Sequence, residues 1–212
     1  MEEFTRLKQS NMDKDLLNLN EELAIFVEEK ILSGLKMQNA TPEKSISIFM
    51  FAKSYKTYKA IQILAKNGFG QDAFILVRSI FEIFINLSYI FQEDTFNRIN
   101  QFNDYDWVLR SKLYSDVTKD KLMKKAFKEL IEKEKIDLKE IKRKSKEFIP
   151  TNNNCNCESW SGLSVFKIAK AVGQVNAYNS LYALGSNLMH TTSRAGNDYI
   201  RVDGGKIHVG IN

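Results

Sequence analysis

The sequence predicts an all-α protein, a single helical bundle of about six to eight helices over residues 1–212 with a small C-terminal β-hairpin. Apolar residues recur at spacings of three and four along most of the chain, which is the period of an amphipathic helix. Only 2 Pro and 10 Gly occur, and 43% of the residues are hydrophobic while 27% are charged. This balance favours one folded helical domain and excludes a disordered chain.

The helical pattern falls into segments that Gly, Pro or polar turns separate. The second segment runs from Thr41-Pro42, a cap followed by a first-turn proline, to Asn67-Gly68. The turn after it is short, so the second and third helices are predicted to be antiparallel neighbours. The other predicted helices cover 12–33, 71–92, 95–114, 118–134, 137–147, 162–172 and 176–193.

Two segments depart from the helical period. The stretch 150–160 is rich in Asn and is typical of a polar surface loop. Residues 198–211 alternate around Asp203-Gly204-Gly205, which predicts a β-hairpin with a tight turn. The sequence leaves open whether the natural chain continues beyond Asn212.

The net charge of +5 comes from one part of the chain. Residues 119–147 hold 12 Lys and Arg against 7 Asp and Glu, and the remainder balances at 19 against 19. We therefore predict a charged helical arm over 118–147. Mixed charges at helical spacing favour a solvated face, but the arm could also bind a protein partner, and Lys142–Lys146 could attract phosphates.

The sequence predicts a cytoplasmic protein that does not enter a membrane. The N-terminus is polar and acidic, unlike a signal peptide, and charged or polar residues interrupt the most apolar stretch, 73–91. No metal or cofactor is expected. Cys155, Cys157, His190 and His208 form a potential zinc set, but a Cys-x-Cys spacing is shorter than zinc sites use.

A first polar stripe lies on the apolar third helix. With about 100 degrees of rotation per residue, Arg78, Glu82, Asn86 and Tyr89 fall on one narrow side. Buried charges are costly even when they are paired. The stripe therefore predicts either a functional site or an ion pair that fixes helix register, and the sequence does not decide between them.

A second polar stripe lies on the last helix, where Tyr182, Ser186 and His190 are four residues apart. His190 could act as an acid or base near neutral pH, with the other two orienting it or binding an oxyanion. Gly185 has no side chain, so a backbone or ligand could approach closely there. The alternative is a buried histidine that Tyr or Ser satisfies.

Several stretches together resemble a bacterial family catalogued only as a domain of unknown function, the one numbered 5677. They are LVRSIFE (76–82), YIFQED (89–94), RINQFNDY (98–105), WSG (160–162) and YNSLYALGSNLMH (178–190). The resemblance implies an all-helical fold and no established reaction. The resemblance adds Trp160 to the candidate site residues. Arg98 on the fourth helix could lie at the rim of a cleft that contains the polar stripes, or it could belong to an ordinary solvated face.

The chain is also similar, more distantly, to the HEPN helical bundles, many of which are metal-independent ribonucleases of toxin, antiphage and CRISPR systems. Their motif has an Arg and a His with four to six residues between them. Here that Arg would fall at Ala183, Leu184 or Gly185, so the chain departs from the motif. Arg78 could supply the missing cation in space.

These observations give two functional hypotheses. In the first, the protein cleaves or binds RNA or a nucleotide in defence or toxin biology, as a monomer or a homodimer. Its catalytic residues would be Arg78, Glu82 and His190, and its substrate-binding residues Asn86, Tyr89, Arg98, Trp160, Tyr182 and Ser186. In the second, the polar residues are structural, and the protein is a non-catalytic module that binds a protein partner or a small molecule.

Overall fold

The computed structural model describes residues 11–34, 41–148, 159–189, 200–203 and 206–209. Its long helices are α1 (Asn11–Phe26), α2 (Pro42–Lys66), α3 (Gly70–Gln92), α4 (Thr95–Val117), α5 (Lys121–Lys133) and α6 (Leu138–Glu147). Shorter helices follow: α7 (Val165–Ala171), α8 (Val175–Ala177) and α9 (Ala183–Met189). π-helical turns continue α1 over Val27–Ile31 and join α8 to α9 over Tyr178–Tyr182, and a 3-10 turn covers Leu32–Gly34. The predicted all-α class is confirmed for the described residues.

The C-terminal part contains two short strands. Ile200–Asp203 pairs antiparallel with Lys206–Val209, and Ile200 lies opposite Val209. The turn between them and the ends of the predicted 198–211 hairpin lie outside the described residues, so the complete hairpin stays a prediction. Most of the predicted polar loop, 150–160, also lies outside them.

Local signals explain where several helices begin and end. Pro42 occupies the first position of α2 as predicted. After Lys66, Gly68 has a φ of +87°, and Phe69 N–H donates to Leu64 C=O. Together with the bond from Gly68 N–H to Ala65 C=O, this is a Schellman C-cap, which needs a left-handed residue.

The chain divides into two compact units, and α2 and α3 each contribute residues to both. Unit 1 takes in the described parts of 1–41, 51–80 and 185–212, and unit 2 those of 42–50 and 81–184. Each unit is described by itself. The single folding domain expected from the chain length stays a prediction.

In unit 1, polar side chains of α2 bind the backbone and side chains of α1. The Tyr58 hydroxyl donates to Asn20 C=O at 2.7 Å, and the Tyr55 hydroxyl donates to Glu28 Oε1 at 2.6 Å. Lys59 and Lys66 form ion pairs with Glu28 and Glu21. Hydrogen bonds and ion pairs therefore hold α1 and its π-helical continuation against α2, together with the few residues that they bury.

The predicted apolar face of α1 is only partly used for packing. Ala24 and Val27 are buried, whereas about half of the surface of Leu16, Leu19 and Leu23 is exposed. The side of α1 that contacts α2 is therefore the one next to this leucine face. Periodicity identified an amphipathic helix but did not identify which of its residues would be covered.

Unit 2 contains the main core. Ile85, Ile90 and Ile99 are fully buried where the second half of α3 meets α4. Their cluster also takes in Ile46, Met50, Phe81, Tyr89, Trp160, Ile168 and Ala169. Buried apolar area of this kind is the main stabilising contribution to a helical unit.

The charged arm forms an outer layer on α4. Ile141 of α6 is buried, Phe148 packs against Tyr105, and Phe127 of α5 packs against Tyr114. Asp120 and Asp137 cap α5 and α6 by accepting backbone N–H bonds, as N-cap carboxylates commonly do. Most lysines of these helices are exposed, whereas Lys144 is half-buried beside Trp107 of α4.

Among the described helices, α3 alone is long and apolar enough to cross a membrane, judged by length and composition only, with a mean hydropathy of 1.7. A mostly buried core helix of a soluble protein passes the same test, whereas 22% of the apolar window of α3 is buried. The predicted cytoplasmic location and absence from membranes stay predictions.

Candidate functional site

The three predicted catalytic residues are placed differently by the structure. Arg78 and Glu82 are half-buried one turn apart on α3, with Arg78 in unit 1 and Glu82 in unit 2. His190, the first residue after α9, lies outside the described residues. The ion pair predicted between Arg78 and Glu82 therefore stays a prediction, as does the pairing of either residue with His190.

Gly185 brings α9 against the first half of α3. It is buried, and a Cβ added there would lie 3.3 Å from the Cβ of Arg78 and 3.5 Å from the backbone oxygen of Phe74. The close backbone approach predicted for a residue without a side chain is therefore confirmed, and the neighbour is α3. A Cβ there would require its neighbour on α3 to give way slightly, and a longer side chain would require more.

Where α3 and α9 cross at Gly185, Arg78 lies beside the C-terminal end of α9. Its guanidinium Nη1 lies 3.5 Å from the Sδ of Met189, the last residue of that helix. Ser186, which follows Gly185, is half-buried. Unit 1 therefore places a cationic side chain beside the residue that directly precedes His190 in the sequence.

Asn86 and Trp160 are joined by a hydrogen bond between residues far apart in sequence. The Trp160 indole Nε1–H donates to Asn86 Oδ1 at 2.7 Å, and Asn86 Nδ2 donates to the carbonyl oxygen of Glu82, also at 2.7 Å. The indole is only 7% exposed and packs edge-on against Tyr89 and Phe102. Both polar groups of Asn86 thus have partners within unit 2.

Tyr89 and Arg98 form a second connected pair. The guanidinium of Arg98 lies 3.9 Å from the centre of the Tyr89 ring, and its Nη1 donates to the Tyr89 carbonyl oxygen. Glu93 approaches the same guanidinium at 3.6 Å. Four predicted substrate-binding residues, Asn86, Tyr89, Arg98 and Trp160, therefore contact one another or the backbone in the core region.

Tyr182 belongs to a row of aromatic rings that the sequence did not indicate. It stacks on Tyr178 with centroids 4.8 Å apart and planes 17° from parallel, and it also contacts Phe81 at 6.2 Å. Tyr178 in turn meets the edge of Phe166 at 5.2 Å. The π-helical turn carries both tyrosines, and π-helical turns frequently occur at functional sites.

Most of the perturbed titratable groups lie on the α1–α2 contact, and Asp116 on α4, whose pKa the Lys119 ammonium lowers, is a further one. Partial burial and the hydrogen bond to Glu28 raise the pKa of Tyr55 to about 12, and the bonds from Tyr55 and Lys59 lower the pKa of Glu28. The Lys66 ammonium likewise lowers the pKa of Glu21. These shifts follow from structural ion pairs and do not by themselves indicate catalysis.

A shallow cleft of about 390 Å³ lies between α4 and α6. Trp107 forms one wall, with the Lys144 ammonium 4.4 Å from the centre of its ring. The other lining residues are Gln101, Asp104, Glu147 and Phe148. A sequence pattern could not have placed α4 and α6 side by side, so this cleft was not predicted.

Within the part of the chain that the structure describes, no group of three His, Cys, Asp or Glu side chains could hold a metal ion. Cys155, Cys157 and His190 lie outside this part. The expectation that the protein uses no metal or cofactor stays a prediction.

Comparison with known proteins gives one match. The sequence profile of a family described as a family of unknown function (DUF5677) matches residues 44–207. No curated protein and no solved structure matches the chain. The match covers more than half of the sequence and confirms the resemblance carried by the α3 and α9 stretches, whereas the HEPN similarity stays a hypothesis.

Proposed function

The chain belongs to the DUF5677 family, whose function is unknown, and we propose that it cleaves RNA without a metal ion, with Arg78 and His190 as the reacting pair. The observation that carries the proposal is the helix crossing at Gly185, which sets Arg78 against the last residue of α9. The next residue in the chain is His190. A guanidinium and an imidazole are a suitable pair for phosphodiester chemistry.

The proposed reaction uses the substrate as its own nucleophile. The 2′-hydroxyl oxygen attacks the adjacent phosphorus and the bond to the 5′-oxygen breaks, which leaves a 2′,3′-cyclic phosphate and a 5′-hydroxyl. His190 accepts the 2′-hydroxyl proton, and the departing 5′-oxygen takes a proton from water or from the imidazolium. Arg78 donates hydrogen bonds to the phosphoryl oxygens, whose negative charge increases in the transition state.

The other predicted site residues take different parts in this proposal. Ser186 lies one residue from the crossing and is proposed to bind a phosphate oxygen. Asn86 and Trp160 are engaged with each other and with the backbone, so we propose that they support the fold and do not touch substrate. Glu82 is retained as a candidate acid or base, to be tested by Glu82→Gln.

The test is cleavage of an end-labelled RNA by the full chain in the presence of EDTA, with the product ends identified. We expect His190→Ala to reduce cleavage by about 10²- to 10⁴-fold, the usual contribution of a positioned acid or base. Arg78→Ala should reduce it by about 10²- to 10³-fold, the usual cost of removing a donor to a developing negative charge, and Arg78→Lys should restore part of it. His208→Ala, the other histidine, and Arg110→Ala, an exposed arginine on α4, are the matched controls.

Full cleavage by both His190→Ala and Arg78→Ala, with thermal melting unchanged, would refute the proposal. If the protein acts in a toxin or defence system, the same two variants should also lose inhibition of bacterial growth. Loss of cleavage in the His208→Ala control as well would point to misfolding, whereas equal cleavage by every variant and control would point to a contaminating nuclease.

A second candidate function is a non-catalytic interaction module. This candidate is favoured because four of the predicted substrate-binding residues already contact one another, as the residues of a structural network do. They are Asn86, Tyr89, Arg98 and Trp160. In that case the α5–α6 arm is the proposed partner-binding surface. Two results together would support this candidate. The wild-type protein would not cleave RNA, and charge reversal in α6 would abolish binding of a protein partner.

A further inference from the structure

A group of aromatic side chains lies where α7 meets the π-helical turn of unit 2. Phe166 on α7 is 41% exposed and contacts the edge of Tyr178. Tyr178 is half-buried and stacks on Tyr182. The rings thus form a continuous row that begins at the protein surface with Phe166 and ends in the core.

The chain segment that carries this row has only positively charged residues. Residues 159–189 contain Lys167 and Lys170 and no Asp, Glu, Arg or His. Both lysines are exposed on α7. They are three residues apart and Lys170 is four residues after Phe166, so both spacings make neighbours on one side of a helix.

Some cations of the α5–α6 arm are paired with carboxylates on their own helix. Arg143 pairs with Glu147 and Lys128 with Glu132, each one turn away on the same helix. No carboxylate occurs on α7 to do the same. An exposed ring beside two cations without local carboxylates is the combination that binds a single nucleic-acid strand, since every base offers a π-face and every linkage a negative phosphate.

We propose that Phe166, Lys167, Lys170 and Tyr178, here called the α7 surface, bind single-stranded RNA. An unpaired base stacks on Phe166, and the two ammonium groups bind the flanking phosphates. Asn179, which is exposed on the π-helical turn beside Tyr178, can hydrogen-bond a base edge. The inference rests on the proposed action on RNA and specifies the form of the substrate and the surface that holds it.

The experiment measures binding with cleavage removed. A fluorescein-labelled single-stranded RNA is titrated by anisotropy with the full chain carrying His190→Ala. We expect Phe166→Ala to raise Kd roughly 5- to 150-fold, the equivalent of the 1–3 kcal/mol measured for stacked bases. Phe166→Tyr should bind like the parent because the ring is kept. Phe84→Ala, which removes another exposed phenylalanine of unit 2, is the matched control.

The lysines are tested through the salt dependence of binding. Lys167→Gln with Lys170→Gln should flatten the slope of log K against log salt by about 1.4, since each phosphate contact on a single strand contributes about 0.7. The matched control is Lys121→Gln with Lys125→Gln, two exposed lysines of α5. An RNA duplex of the same length should bind more weakly, because its bases are already stacked.

Three results would overturn the inference: no RNA binding by the His190→Ala chain, equal loss in the α7 and α5 lysine pairs, or unchanged affinity of a folded Phe166→Ala chain. These outcomes are distinct from failure of the proposed cleavage. RNA binding that depends on the α7 surface, in a protein whose wild type does not cleave, would retain this surface and refute only the catalytic pair. RNA cleavage that does not depend on the α7 surface would retain the catalytic pair and refute this surface.

Discussion

Replacing Asn86 by Ala tests whether the polar stripe of α3 is structural in unit 2. The substitution removes the acceptor of the Trp160 indole N–H, which then remains as an unpaired donor on a side chain that is only 7% exposed. Stranding a buried donor costs about 1–3 kcal/mol. For a chain of this size, each kcal/mol corresponds to about 2–4 °C in Tm.

A double-mutant cycle isolates this hydrogen bond. Trp160→Phe keeps an aromatic ring against Tyr89 and Phe102 but cannot donate, so Asn86→Ala should cost less in that background. We expect the two effects to differ from additivity by about 1 kcal/mol. Urea unfolding followed by far-UV circular dichroism is the assay, because Trp160→Phe changes the fluorescence.

Asn97→Ala is the control for the cycle, since its amide bonds the Asp94 carboxylate at an exposed site of α4. It should change stability by no more than about 0.5 kcal/mol. An Asn86→Ala variant as stable as this control, or single effects that add without coupling, would refute the structural role assigned to the Asn86–Trp160 bond.

Three further outcomes are expected from the structure. Because the raised pKa of Tyr55 means that the folded state holds this proton more tightly than the unfolded chain, stability should fall as pH rises from about 10 to about 12. Tyr55→Phe should lose less stability over that window in urea titrations at several pH values. Lys135 has a left-handed φ of +51°, so Lys135→Gly should stabilise the chain by about 1 kcal/mol in the same assay. Gly185→Val should destabilise it by about 1–3 kcal/mol, because the new side chain overlaps Arg78 and the Phe74 backbone, whereas Gly34→Ala meets no neighbour within 4 Å and should not show this overlap cost.

Helix positions were predictable because local chemistry sets them. Pro42 and Gly68 mark the beginning and end of α2, and the turn after α7 closes at Gly173, where Gln174 N–H donates to Ala169 C=O. These signals act between residues at most five apart. A single sequence therefore contains what is needed to find them.

Side-chain partners were less predictable because they come from distant parts of the chain. Asn86 and Trp160 are 74 residues apart, and nothing in either stretch indicates that they meet. The spacing of Arg78, Glu82 and Asn86 predicted one polar stripe, but the structure divides its residues between two units. Periodicity gives the side of a helix on which a residue lies, whereas its contacts depend on which helices pack against that side.

The α7 surface was missed for a similar reason. Phe166 and Tyr178 belong to different helical segments, and their ring contact depends on how these segments pack. One signal was available in the sequence: residues 159–189 carry two lysines and no acidic residue. Local charge counted segment by segment would have drawn attention to α7, although only the structure shows an exposed ring beside the lysines.

The positions of the two tryptophans allow the unfolding of unit 2 to be followed separately by fluorescence. Trp107 and Trp160 are the only ones in the sequence, and both belong to unit 2. Tryptophan emission therefore reports on unit 2, with a buried indole at Trp160 and one beside the Lys144 ammonium at Trp107, while far-UV circular dichroism records helices of both units. Coincident transitions by the two methods would indicate cooperative unfolding of the whole chain, and separate transitions would show that unit 1 melts on its own.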